Sequence, residues 1–533
     1  MKNKIFYIYL AVLCLTGFGC SHFLEEYSRD QVYASSCEDL DEVLIGNGYM
    51  EHSNRPSYTY CDYIHVLDDD AEELIVASSS EIASLSDAPV AYWRNLATWQ
   101  KNPFVGSFMS KYTELEDTGL EKIYSHIAYV NTIINYLKEF PNDPLEDQMR
   151  IRGEGQFLRA AYYLIVSNLY GGAYDVKNGG TDMSVPLKTY EWVVESKFAQ
   201  ASVGKVYDYI VKDLKSACEN LRGVVQKNFY RTNQLATRIL LSRVYLYMEN
   251  YDEVIVQCDS ALTMGCPLAD LNTFDVSDEY ERDYLYDKSN PEIVFTMGNA
   301  VVQDRFTSKI YFGSPRGTYT ASQSLIDEYK NDDKIKDLRL SCYFEQHARA
   351  RSRFGVCKNY MYDYSPTGDY PEVFDSFLIR TVEAYLNKAE AQAMKGDLAG
   401  AKETLQPLLA TRYATGMLPE LAALGEKEMV EFIRSERRRE LCFEGHRWPD
   451  LKRYAVNSKY PYKKEIQHSV YDGGSTSGDK YAGYYVLKPY GEDEGWILPF
   501  PEDEIIYNEG VLVNPNRPDR FNGDPNFSNE NED

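Results

Sequence analysis

The sequence predicts a mostly α protein: a scaffold of paired helices with an irregular, loop-rich lobe packed against it. Three observations carry this. Apolar residues recur at three- and four-residue spacing over long stretches on both sides of the chain's centre. Two of those stretches read as helix–turn–helix pairs with small-residue faces. Between them, residues 268–380 lose the helical period but keep many tyrosines and phenylalanines, which argues against disorder.

The chain begins MKNKIFYIYLAVLCLTGFGCSHFLEE. Lys2 and Lys4 precede an apolar run, Ile5 to Phe18, which has the layout of a secretory signal and falls short of a span of about 20 residues. Gly17 and Gly19 are small, and Cys20 follows at once. Residues 1–19 are therefore expected to be a lipoprotein signal peptide, with Cys20 lipidated and residues 20–45 forming the anchor and tether. One acyl chain holds a protein marginally and several hold it firmly. No later run of 18 apolar residues appears. Residues 46–533 are expected to form one body: a helical scaffold over about 110–267 and 378–454, an irregular ligand lobe over about 268–377, and a closing segment 455–533.

A first helix is expected near Cys37–Leu44. The aromatic stretch HSNRPSYTYCDYIHVLDDDAEEL follows; its Asp68–Asp70 run lacks calcium-loop spacing and predicts a solvated helix start. From Glu114 to Phe140, Leu120, Ile123, Ile127, Val130, Ile134 and Leu137 mark one helical face, closed by Pro141 and Pro144. A second helix runs from Leu145 to the Gly171–Gly172 pair, and a third over about Ser202–Leu221. Then comes NQLATRILLSRVYLYMENYDEVIVQCDSALTMGCP. It predicts helices over Asn233–Met248 and Tyr251–Met264, with Ala236 and Ala261 at the close approach. This resembles a tetratricopeptide helix pair. Its later partner, RTVEAYLNKAEAQAMKGDLAGAKETLQPLLATR, offers Ala384, Ala389, Ala393 and Ala401, with the turn at Lys395–Asp397. Two such pairs imply a stacked tetratricopeptide-like scaffold. Residues 455–533 read as irregular.

Asp and Glu number 82 against 56 Lys and Arg, a net charge of -26, which argues against nucleic acid and against adsorption to an anionic membrane surface. Tyrosine, at 46, offers flat apolar faces with polar tips suited to sugars or peptides. Beyond Cys14 and Cys20, the cysteines show no CxxC and no zinc spacing, and read as small core hydrophobes. No metal site and no cofactor is expected.

The segment FIRSERRRELCFEGHRWPDLKRY, residues 432–454, closely resembles the signature of the SusD/RagB family of outer-membrane lipoproteins. Glu436, Arg437, Glu440, Leu441, Phe443, Glu444, Gly445, Arg447, Trp448, Asp450, Leu451 and Arg453 fit its pattern; Pro449 departs from it. CSHFLEE, RGEGQFLRAAYYLIVSNLYGG and ILPFPEDEIIYNEGVLVNPN resemble the family's lipidated start, long early helix and closing segment. The resemblance implies a mostly helical protein with four tetratricopeptide-like pairs, exposed at the cell surface. It implies a lid over a SusC-like TonB-dependent transporter, capturing oligosaccharide for import without being an enzyme. Peptide capture by the same architecture, or a purely structural lid, stands as the alternative.

Glu436, Glu440 and Glu444 repeat at i,i+4 beside Arg437 and Arg447. Paired carboxylates can hydrolyse glycosides, but no HExxH, GxSxG or phosphate loop accompanies them. The expectation is an ion-pair lattice along one helix that fixes it and the following turn. Two regions compete for ligand binding. AYWRNLATWQKN supplies Trp93, Asn95 and Trp99, rings and an amide that suit sugar faces and hydroxyls. KIYFGSPRGTYTASQSLIDEY supplies Tyr311, Phe312, Arg316 and Tyr319.

Overall fold

The structure, a computed structural model, describes residues 34–52, 60–74, 89–104, 118–190, 197–278, 282–306, 319–346, 352–359, 372–472 and 480–523. Its longer helices are α1 (Cys37–Val43), α2 (Pro89–Ala97), α3 (Thr118–Tyr136), α4 (Leu145–Tyr170), α5 (Val203–Asn220), α6 (Gln234–Tyr247), α7 (Tyr251–Met264), α8 (Val382–Met394), α9 (Leu398–Arg412), α10 (Glu426–Leu441), α11 (Arg447–Val456) and the short α12 (Glu502–Tyr507).

The helices stack in a row in which α3 packs on α4, α4 on α5, α5 on α6 and α6 on α7. Helix α8 then packs on α7 and turns back through α9, so the two helix pairs are neighbours in space despite the long insertion between them. The expected alanines sit at the contacts: Ala236, Ala261, Ala384, Ala389, Ala393 and Ala401 are wholly buried. Local signals set the helix starts. Asn233, Asn250 and Asp397 each accept a backbone N–H from three residues on, satisfying a donor that the first turn leaves open. The α6–α7 turn takes Glu249 through the left-handed region at φ 53°. Helix α4 is buried along most of its length, and its glycines explain how its neighbours come so close: a Cβ at Gly153 would lie 2.7 Å from Leu221 Cγ.

The insertion is not featureless. It contributes to small antiparallel sheets made from β1 (Ala71–Glu73), β2 (Met183–Pro186), β3 (Gln200–Ser202), β4 (Ile293–Met297), β5 (Tyr319–Ala321), β6 (Phe344–Gln346), β7 (Phe354–Val356), β8 (Phe377–Arg380), β9 (Ile466–Asp472) and β10 (Lys480–Leu487). The lobe's four-stranded sheet runs β1–β5–β7–β6, with Glu73 opposite Tyr319 and Ala321 opposite Phe354. One of its two edge strands therefore comes from residues 71–73, far upstream of the insertion. Strands β9 and β10 form a hairpin within the stretch that reads as irregular in sequence. Ile466, His468 and Val470 are buried and their neighbours are more open, the period of a half-buried strand.

All eight cysteines among the described residues are buried and free, as small core residues. The Asp68–Asp70 run corrects the expectation of a solvated helix start: these side chains are buried just before β1, where Arg438, Arg447 and Lys464 meet them. Their partners lie hundreds of residues downstream, beyond the reach of a local reading. Cys20 and the leader lie outside the described residues.

Candidate functional site

The segment 432–454 builds α10, a tight turn and α11. Phe443 and Gly445 take positive φ in that turn, 57° and 75°. Pro449 is the third residue of α11, where its missing N–H would have had no helical partner. Trp448 stacks on Trp496 with ring centroids 4.5 Å apart. The charges do form a lattice, but most of its partners are not on the helix. Glu440 accepts from Arg412 Nε at 2.9 Å, Arg380 Nη1 at 3.0 Å, Arg339 Nη1 at 3.3 Å and Tyr343 OH at 3.0 Å. Arg380 and Arg412 also donate to Glu292, at 2.7 and 2.6 Å. Glu436 takes Arg339 at 2.8 Å, and Glu444 takes Lys358 and Arg380 at 2.7 and 2.8 Å. Burial alone would raise the Glu440 carboxyl; Arg412, Arg380 and Arg339 outweigh it and hold it well below the ordinary range.

A second buried chain of charges begins at Arg437. It donates to Asp450 at 2.7 Å and to Asn387 at 2.7 Å; Asp450 also accepts from Arg453, which grips Glu390 with both terminal nitrogens at 2.8 Å. Arg447 holds Asp69 through Nε and Nη2 at 2.7 and 2.9 Å. The signature thus clamps helices, lobe and the Asp68–Asp70 turn into one body. Its three glutamates are buried and engaged by guanidinium or ammonium groups.

The residues expected to contact ligand are distributed differently from the sequence reading. Trp93 and Trp99 are buried, at 1% and 0% exposure, and their assignment as ligand-stacking rings is corrected. Trp99 donates its Nε1–H to the Leu67 carbonyl at 2.9 Å and lies against His468, with centroids 4.5 Å apart. Trp93 packs against Tyr319, itself buried in β5, with centroids 6.3 Å apart; Tyr319 is corrected in the same way. The two competing regions do meet, but under the sheet, because large rings gain most where water is excluded. Asn95 is half-buried in α2 and accepts the Gln100 N–H on its carbonyl at 2.9 Å. Tyr311, Phe312 and Arg316 lie outside the described residues.

A different set comes together where the β9–β10 hairpin meets β1 of the lobe sheet. Tyr471 of β9 and Tyr481 of β10 stand edge to face, centroids 6.1 Å apart, with Tyr481 40% exposed. Arg353 donates to Tyr471 OH at 3.1 Å and pairs with Glu72. Arg94 joins the Tyr471 carbonyl, at 2.7 Å, to Glu73. Aromatic faces beside fixed guanidinium and carboxylate groups can stack on a sugar ring and bind its hydroxyls. The signal for these residues was present in the two-residue period of IQHSVYD, which turns Tyr471 away from the buried Ile466, His468 and Val470.

Comparison with known proteins agrees with this architecture. A family model described as "SusD family" matches residues 351–516, and one described as "Starch-binding associating with outer membrane" matches residues 25–246. One SusD-like protein of Formosa agariphila is 25% identical over 388 residues, covering 62% of this chain and 71% of its own. A second from that organism is 21% identical over 506 residues, covering 86% and 90%. A putative sugar binding protein from Bacteroides vulgatus superposes with a TM-score of 0.67 at 22% identity, over 91% of this chain and 99% of its own. A SusD superfamily protein from Bacteroides thetaiotaomicron gives 0.64 at 19% identity, over 90% and 100%. At these identities the structural likeness establishes the fold.

Proposed function

Because the chain belongs to the SusD/RagB family, we propose that it is a lipid-anchored, outward-facing glycan-binding protein of the outer membrane. In this reading it captures oligosaccharide and passes it to a SusC-like TonB-dependent transporter, acting by binding rather than catalysis. The lipid on Cys20 holds it at the membrane. The observation that carries the reading is the Tyr471–Tyr481 pair, in which Tyr481 is exposed and Arg353 holds the hydroxyl of the half-buried Tyr471. Rings held in place lose little freedom on binding, so stacking is retained as affinity. Tyr311, Phe312 and Arg316 are proposed to add to the same surface, since their segment leads into β5 of the lobe sheet.

The test is binding of residues 21–533 to a panel of glycans and peptide mixtures, with Tyr481→Ala and Tyr471→Ala alongside. Saturable binding of a glycan, weakened in either variant, supports the proposal. Binding of peptides alone would replace it with peptide capture, and glycan binding indifferent to both tyrosines would move the site elsewhere.

A further inference from the structure

The closing segment carries an exposed apolar patch: Ile506 is 65% exposed, Tyr507 50%, Val511 44% and Val513 61%. Beside it opens a cavity of about 550 Å³, floored by Leu120, Tyr124, Phe198, Phe500 and Leu512. Its rim is acidic. Glu121, Asp503 and Glu504 line it against the single lysine Lys188. The three carboxylates are exposed, and none has an ion-pair partner among the described residues. Burial, then Asp503 and Glu121, raises the Glu504 carboxyl above its ordinary range, as expected of a carboxylate short of a cation. One ammonium of the chain already lies here: Lys197 Nζ sits 4.5 Å from the centre of the Tyr507 ring and 3.3 Å from Glu509 Oε1.

We propose that this cup and the adjoining patch are a docking site for a polypeptide partner that inserts a lysine flanked by apolar side chains. The acidic rim and the aromatic floor take the ammonium and its methylene stem. The exposed Ile506, Val511 and Val513 extend the apolar surface past the cavity mouth, farther than a small amine could cover, which favours a chain over a free amine. The site is distinct from the Tyr471–Tyr481 edge and does not depend on the glycan reading.

The probe is a fluorescein-labelled Gly-Phe-Lys-Leu-Gly peptide, read by anisotropy on residues 21–533. Saturable binding is expected, weakened about tenfold or more when glutamate replaces the probe's lysine, and likewise in the Glu121→Gln/Glu504→Gln double variant. Val511→Ser, which leaves the rim charges in place, is expected to weaken binding as well. Equal binding of the lysine and glutamate peptides, or full binding by the double variant, would overturn the proposal. So would displacement of the peptide by n-hexylamine at equal concentration, which would make this a small-amine site. Self-association in sedimentation that Val511→Ser abolishes would instead assign the patch to a second copy of the chain.

Discussion

Arg412 donates to Glu440 through both Nε and Nη2, at 2.9 and 3.1 Å, and neither side chain touches solvent. Arg412 also holds Glu292, so its loss would leave Glu292 with Arg380 as its one guanidinium partner among the described residues. Breaking a buried pair from one side strands a desolvated charge, at a cost of about 3–5 kcal/mol. Arg412→Met is expected to lower the urea unfolding midpoint by that measure. Lys427→Gln, which removes an exposed i,i+4 pair with Glu431 on α10, should leave the midpoint in place. Equal shifts in the two variants would refute the distinction.

Gly153 marks the closest approach of α4 to the end of α5. An added Cβ would meet Leu221 Cγ at 2.7 Å and Asn220 Cβ at 3.0 Å, so these side chains or the helix that carries them must shift. Although alanine is the better helix former, Gly153→Ala should destabilise the protein by about 1–3 kcal/mol through overpacking. Calorimetric melting of the variant checks this, and a raised melting temperature would show that the contact can relax.

The scaffold was legible because each helix announces itself locally. Asn233 and Asp397 cap from three residues away, and the alanines of α6 to α9 repeat within one turn or two. Helix ends in the structure fall within a few residues of those positions. The site was less legible, for a physical reason. A tryptophan serves equally as a ligand platform and as core filling, and only its three-dimensional neighbours decide; Trp99 is decided by Leu67 and His468. The Glu440 partners are likewise non-local, at Arg339, Arg380 and Arg412, so a helix-surface reading of the signature captured its purpose but not its geometry.

Asp62 should make stability depend on pH in an unusual direction. It is buried near Asp375, accepts the Ser376 hydroxyl at 2.8 Å, and burial raises its carboxyl to about 7. The unfolded carboxyl titrates near 4, at about 3.9. A raised folded value means that the group's stabilising contribution is complete below about pH 4 and is lost as pH rises through about 7. Asp62→Asn keeps the shape without the charge. Its melting temperature should match the wild type at pH 3.5 and exceed it at pH 8.5. A constant offset across that range would remove Asp62 as the cause.

Trp99 and Tyr481 separate support from recognition. Trp99 is wholly buried, so Trp99→Ala should cost about 3–5 kcal/mol of stability through the cavity it leaves. Tyr481 is 40% exposed, and Tyr481→Ala should leave the unfolding midpoint nearly unchanged. Affinity for a glycan should respond in the opposite sense: Tyr481→Ala weakens it, whereas the fraction of Trp99→Ala that remains folded binds as the wild type does. Titrating both variants at a temperature where each is folded, with unfolding curves beside them, makes the comparison. If Trp99→Ala lost affinity while fully folded and Tyr481→Ala did not, the binding surface would be organised around the α2 loop, and the hairpin edge would be scaffold.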